Sequence, residues 1–283
     1  MKKIVLPTDF SENAWNAISY ALQFFKNEKC TFYILHVYTP AFYRIDYLIG
    51  GPDFTAIPDS GVADSVARLE KILKDIKRQY PNPNHRFKTV SAFNTLTDEI
   101  MELCQSEGVD LIVMGTQGAS GVKEIFLGTN SVQVIRKAKI PVLLVPAYYE
   151  FENIGAILFP TDYLTHYKKD ELQYIIDLSL LHKATLIVMH VLEAKSLTSV
   201  QQKNKEYLQA DLAAVKPQFK EMEGHNMPNA VQEYIDLYQL DLLVMMNRSH
   251  TFLEKLLVKQ NVDAIGLYTK VPFLVLRDTA KMG

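Results

Sequence analysis

Short strand-like segments alternate with amphipathic ones along the whole chain. Residues 3–7, 32–37, 87–93, 110–114 and 141–145 read as strands, most of them nearly continuous in Ile, Val, Leu, Phe and Met. Continuous apolar runs predict strands buried on both faces, hence a parallel sheet with helices on either side. Between them apolar residues return at helical spacing. Ala14, Ala17, Ile18, Ala21, Leu22 and Phe25 form one face; Val62, Val66, Leu69, Leu73 and Ile76 a second; Leu96, Ile100, Leu103 and Cys104 a third. A fourth helix is predicted from Val132 to Ala138. Strands alternating with helices in this way give a doubly wound α/β unit. Its ligand crevice is expected outside the carboxyl ends of the strands, at the topological switch point.

The pattern is written twice. Ile4-Val5-Leu6-Pro7-Thr8-Asp9-Phe10 returns as Ile157-Leu158-Phe159-Pro160-Thr161-Asp162-Tyr163. Leu35-His36-Val37 returns as Met189-His190-Val191, and Asp110-Leu111-Ile112-Val113-Met114 as Asp241-Leu242-Leu243-Val244-Met245. Ile140-Pro141-Val142-Leu143-Leu144-Val145 returns as Val271-Pro272-Phe273-Leu274-Val275-Leu276. Four matches in one order define a repeat. The expected domains are 1–147 and 153–283, joined by so short a segment, Tyr148 to Glu152, that the halves should pack together. Repeat one also carries a long segment from Tyr38 to Gly61, rich in Tyr, Phe, Gly and Pro, readable as a surface loop or as a lid.

Bulk composition narrows the function. The chain has 283 residues, 48% apolar and 22% charged, with a formal net charge of -2. Nothing in that balance favours nucleic acid or an anionic membrane. Two cysteines, Cys30 and Cys104, make no disulfide framework, and no run is long enough for a signal-peptide core or a bilayer span. A cytoplasmic protein is the expectation.

One segment carries chemistry. Gly115-Thr116-Gln117-Gly118 follows the fourth strand, and after nine residues Gly128-Thr129-Asn130-Ser131 precedes the fourth helix. Glycines let backbone N–H groups approach an anion closely, and a helix start adds unpaired donors and the positive end of a dipole. The order strand, glycine loop, helix therefore predicts a phosphate site. The alternative is turn punctuation, with Thr129, Asn130 and Ser131 as ordinary capping residues. Asp9 faces the expected crevice, or else caps the helix that follows it. His36 and His190, inside apolar runs, read as hydrogen-bonded buried residues. Lys123 and Lys137 flank the loop as phosphate contacts or as solvated surface lysines.

In these residues the chain resembles the universal stress protein family in its tandem, two-domain form. The family's nucleotide-binding members carry G-x2-G-x9-G followed by Ser or Thr, which stands here as Gly115, Gly118, Gly128 and Thr129. Val5-Leu6-Pro7-Thr8-Asp9-Phe10-Ser11, His36-Val37 and Pro141-Val142 match the family's first, second and last strands. The resemblance implies ATP or another adenine nucleotide, compatible with Mg²⁺, held by Pro7, Thr8, Asp9, Val37, Met114, Gly115, Gly118, Gly128, Thr129, Asn130 and Ser131. It implies no catalytic residue. It also implies pairing through the last strands, as in single-domain relatives that dimerise. Here Val142–Val145 and Phe273–Leu276 would meet antiparallel within one chain, a pseudo-dimer of two five-stranded sheets, with a further homodimer open. Superposing Pro272 on Pro141 without gaps puts Met246 at Gly115, Ser249 at Gly118, Lys259 at Gly128 and Gln260 at Thr129. Repeat two has therefore lost every glycine of the motif. The leading expectation is a nucleotide-binding stress regulator with an unidentified protein partner. The alternatives are a slow ATPase or phosphoryl or adenylyl transferase, and a nucleotide-independent scaffold.

Overall fold

The computed structural model describes residues 1–38, 60–116, 128–192, 196–223, 227–247 and 270–277. In repeat one the order is β1 (Lys2–Pro7), α1 (Glu12–Phe24), β2 (Cys30–Val37), α2 (Ser60–Gln79), β3 (His85–Ala92), α3 (Leu96–Glu107), β4 (Leu111–Gly115), α4 (Thr129–Lys137) and β5 (Val142–Val145). Repeat two gives β6 (Ala156–Pro160), α5 (Lys169–His182), β7 (Thr185–Leu192), α6 (Ser199–Asp211), β8 (Gln218–Glu223), α7 (Met227–Leu237), β9 (Leu242–Asn247) and β10 (Phe273–Arg277). One sheet runs through both repeats in the order β3-β2-β1-β4-β5-β10-β9-β6-β7-β8. Every pairing is parallel except β5 with β10, which is antiparallel.

That exception joins the repeats. Leu143 stands opposite Leu274 and Val142 opposite Val275, as the expected pseudo-dimer requires. Each strand would otherwise be a short, apolar sheet edge. Pro141 and Pro272 precede the strands, where a missing N–H costs no ladder bond.

Within each repeat the registers coincide. Ile112 pairs with Val142 and Leu243 with Phe273; Gly115 pairs with Val145 and Met246 with Leu276. The ungapped superposition of the two repeats therefore holds up to Gly115 and Met246. Ser249, Lys259 and Gln260 lie outside the described residues.

Alternate strand residues feed two cores, one on each face of the sheet. Ile4, Leu6 and Phe159 belong to one, Val5, Leu158 and Leu243 to the other, and both cores span the two repeats. The segment joining the repeats is part of the packing. Asn16 Nδ2 donates to the carbonyls of Pro146 and Tyr149, and the rings of Tyr149 and Phe151 close on Tyr20.

Two expectations about helices need correction. In α2 the inward residues are Ser65, Leu69 and Ile76, while Val62 and Val66 are 38% and 43% exposed. The face is rotated because Ser65 Oγ lies 2.7 Å from His36 Nδ1 and 2.7 Å from Ser91 Oγ, a polar string between α2, β2 and β3. And α4 starts at Thr129, one turn before the predicted Val132, with Gly128 as its N-cap.

Candidate functional site

β1 is the switch point of repeat one, with β2 on one side and β4 on the other. Pro7 and Thr8 close β1 and are buried, and Thr8 N donates to Leu35 O at 2.8 Å. The chain then reverses tightly. Phe10 sits in the left-handed region at φ 67°, costly for a residue with a Cβ. Side chains on either side over-determine it: Thr8 Oγ1 accepts from Phe10 N at 3.0 Å, and Asp9 Oδ1 accepts from Ser11 N at 2.9 Å. The cap of α1 is Ser11, whose Oγ accepts from Ala14 N, so Asp9 is not the helix cap. Asp9 is exposed at the carboxyl end of β1.

Val37 ends β2 half-buried, and its backbone matters more than its side chain. Peptide groups of successive strand residues point to opposite sides. Leu35 O accepts on the β1 side, and Tyr38 N donates to Ala92 O on the β3 side. Val37 therefore directs its N–H and C=O toward β1, beyond the last pairing there, Pro7 with Leu35. A donor and an acceptor side by side suit the hydrogen-bonding edge of a planar base.

At the end of β4, Met114 is buried and Gly115 is half-buried. A Cβ on Gly115 would stand 2.7 Å from Asn13 Nδ2 and 2.9 Å from Asn13 O. Gly115 thus serves packing as well as any ligand, because it lets the first turn of α1 lie on β4. In repeat two α5 begins at Lys169, nine residues after Pro160, whereas α1 begins at Glu12, five residues after Pro7. A helix start withdrawn by about a turn fits the buried side chain of Met246 at the same register.

The helix that follows β4 has no side-chain cap at its start. Gly128, at φ −62° and ψ 155°, caps α4 with no side-chain hydrogen bond. Because Gly128 holds the cap position, Thr129 and Asn130, exposed in the first turn, are not the N-cap. Ser131 is 2% exposed, and its Oγ donates to Gly115 O at 3.5 Å, tying the helix start to the end of β4. Among the described residues no side chain caps this first turn, and the first N–H groups of a helix have no partner inside it. Gly118, Gly121, Lys123 and most of the Tyr38 to Gly61 segment lie outside the described residues. Lys137 is paired with Asp98 at 3.0 Å, at the other end of α4.

Sequence reasoning missed two residues here. Asn13 Oδ1 and Thr116 Oγ1 are buried and make no hydrogen bond, although both flank Gly115. Buried polar atoms are normally satisfied, and an orphan is costly. Thr116 stands inside the glycine motif, a signal that was readable. Asn13 becomes relevant only through the contact of α1 with β4.

His36 lies beside the crevice, its ring 4.3 Å from that of Phe10, over which Arg68 stacks at 4.1 Å. Burial, and then Arg68, hold its pKa below the ordinary imidazole value. Its Nδ1 contact with Ser65 makes it a hydrogen-bonded, half-buried residue. Among the described residues no cluster of three or more His, Cys, Asp or Glu could hold a metal.

In repeat two the corresponding turn is covered. Tyr163 has φ 56° and is 1% exposed, stacked on His190 at 4.6 Å. His190 Nδ1 donates to Thr161 O at 2.8 Å. From α6, Gln201 Nε2 and Asn204 Nδ2 donate to the carbonyls of Asp162 and Tyr163. The turn's carbonyls are thus occupied by the chain itself.

The profile of the Universal stress protein family matches residues 1–146 and again 153–277. Universal stress protein MJ0577 of Methanocaldococcus jannaschii is 30% identical over 160 residues, covering 51% of this chain and 94% of that protein. MJ0531 of the same organism is 29% identical over 149 residues, covering 51% of this chain and 81% of its own length. Relatives of that size correspond to one repeat. A crystal structure of a universal stress protein from Archaeoglobus fulgidus covers 97% of this chain and 98% of its own, with a TM-score of 0.70 at 18% identity, a likeness of fold alone. On both halves of its sequence, the chain belongs to the universal stress protein family.

Proposed function

We propose that repeat one holds an adenine nucleotide and that the chain acts as a nucleotide-responsive stress regulator. The observation that carries this reading is the pair of orphaned buried oxygens, Asn13 Oδ1 and Thr116 Oγ1, beside Gly115, together with a helix start that has no side-chain cap. Three parts of a nucleotide find matching chemistry. The base fits the backbone pair of Val37; the ribose hydroxyls fit Asp9 and the orphaned oxygens; the phosphates fit the first turn of α4 at Thr129, Asn130 and Ser131, together with Gly118. Pro7, Thr8 and Met114 shape the floor. Mg²⁺ would ride on a triphosphate.

The same geometry supports assigning the nucleotide-competent domain to 1–147 and a degenerate one to 153–283. The second keeps the sheet but replaces Gly115 by Met246 and covers its crevice with Tyr163. A binding role is favoured over a transferase, because the residues around the crevice are engaged in turns and packing: Asp9 in the turn to Ser11, His36 with Ser65. With no helix long and apolar enough to cross a membrane among the described residues, and both cysteines free, a cytoplasmic setting fits.

The test is calorimetric titration of the purified, nucleotide-stripped protein with ATP, with and without Mg²⁺, alongside identification of any nucleotide released on denaturation. Saturable binding with turnover below about one per second is expected, since typical enzymes work faster. Absence of binding would favour the scaffold reading, and sustained faster turnover the enzyme.

A further inference from the structure

Building on the nucleotide reading of repeat one, we infer that repeat two clamps the far end of α4 through Asn247 and Arg277, and so positions the helix whose first turn meets the ligand. Asn247 ends β9, and its Nδ2 donates to Ile135 O, in the last turn of α4, at 3.0 Å. Arg277 ends β10, and its Nη1 donates to Lys139 O, just beyond α4, at 3.0 Å. The two residues are neighbours in the sheet, so they form one platform. The last four carbonyls of a helix have no partner inside it. Ile135 O is one of these, and repeat two supplies the donor.

The other end of α4 is held within repeat one, where Ser131 Oγ donates to Gly115 O. The helix is therefore tied at its start to β4 and at its end to β9 and β10. Its buried face, with Val132, Val134 and Ile135, shares a core with Phe273 and Val275 of β10. By register Asn247 occupies the place of Thr116: the position that flanks the candidate site in repeat one grips the partner repeat's helix in repeat two. A degenerate repeat acquires a task from this geometry. A ligand that orders the first turn of α4 must act on the seam as well, and by linkage the seam acts on affinity. Asn247 and Arg277 are positioning residues; neither touches the ligand.

Asn247→Asp keeps the shape and removes the donor, and Asn247→Ala is the second variant; each is made in the full chain. Hydrogen exchange is followed at the amides of α4 and, as internal control, α1, without nucleotide and with ATP. One lost hydrogen bond of ordinary strength predicts about five-fold faster exchange across the last turn of α4 in the nucleotide-free protein, with α1 unchanged. It predicts a rise in the Kd for ATP of up to about five-fold. Unaltered exchange in α4 would overturn the clamp, and faster exchange with an unaltered Kd would overturn its coupling to the site. If the unmodified chain binds no ATP, the nucleotide reading fails by itself, and the nucleotide-free exchange still upholds or overturns the clamp.

Discussion

Asp110 and Asp241 recur at the same place in both repeats, each just before a buried strand, and their role is mechanical. Asp110 Oδ2 accepts from Lys3 N at 2.8 Å; Asp241 Oδ2 accepts from Gly155 N at 2.7 Å and from Ala156 N at 2.9 Å. Each stitches the start of the first strand of its repeat to the strand beside it. A repeated carboxylate can thus mark a strand clamp rather than a site. Gly115 shows the converse: a residue of a ligand motif that the fold itself also requires. Gly115→Ala sets a Cβ within 3 Å of Asn13, including its backbone oxygen, which cannot rotate away. We expect a loss of about 1–3 kcal/mol, the usual cost of overpacking, read from the midpoint of urea unfolding. The double variant Asn13→Ala/Gly115→Ala should recover only part of it, because Asn13 O remains.

At the scale of elements, α4 starts at a glycine N-cap that offers no side-chain acceptor. Gly128→Asp would give it one. Relative to glycine a capping carboxylate adds only a few tenths of a kcal/mol, with about 0.3–1 kcal/mol from its charge at the helix start, and it occupies the same N–H groups that a phosphate needs. The variant is therefore expected to raise the melting temperature and weaken ATP binding at least ten-fold by calorimetry. A stabilised variant with undiminished affinity would place the phosphates elsewhere. The central strands were legible in the sequence because burial on both faces leaves continuous apolar runs, whereas β8, QFKEME at the sheet edge, has no such run and was not predicted. The antiparallel meeting of β5 and β10 followed from their apolar edges together with the family resemblance. The inward face of α2 was not legible. Its buried Ser65 answers to His36 and Ser91, partners distant in sequence, and Val62 and Val66 imitated an apolar face. Nor was the real start of α4, because a glycine cap carries no side-chain signal. The glycine motif pointed to the candidate site. Asn13 could not be found, since its relevance depends on how closely α1 approaches β4.

The whole molecule is one sheet with a seam, and the seam has an acid-sensitive point. His182, at the end of α5, packs against Phe24 of α1 at 4.4 Å, and its Nε2 is buried without a partner. Burial, helped by Lys2 and Lys26, lowers its pKa to about 4. The folded value lies below the ordinary value near 6.5, so the unfolded chain takes up the proton first. His182 therefore costs nothing above about pH 6.5, and stability is lost as the pH falls from there toward 4. His36 and His85, also lowered by burial, act in the same direction. His182→Gln should flatten the dependence of the urea midpoint between pH 7 and pH 5 by on the order of 1–2 kcal/mol, allowing for solvent screening. An equal slope in both proteins would remove His182 from the account.

Across that seam the described residues of the two repeats share registers and topology but differ at the candidate site. Repeat one has Gly115, an α4 start without a side-chain cap, and unsatisfied buried oxygens on Asn13 and Thr116; repeat two has Met246, a turn covered by Tyr163, whose own hydroxyl is buried without a partner, and carbonyls already taken by Gln201 and Asn204. Asymmetry within a symmetric sheet is the central claim, and native mass spectrometry of the full chain in the presence of excess ATP tests it most directly. One adenine nucleotide per chain is expected, at reduced occupancy in Gly128→Asp. Two nucleotides at equal occupancy, or none, would contradict it.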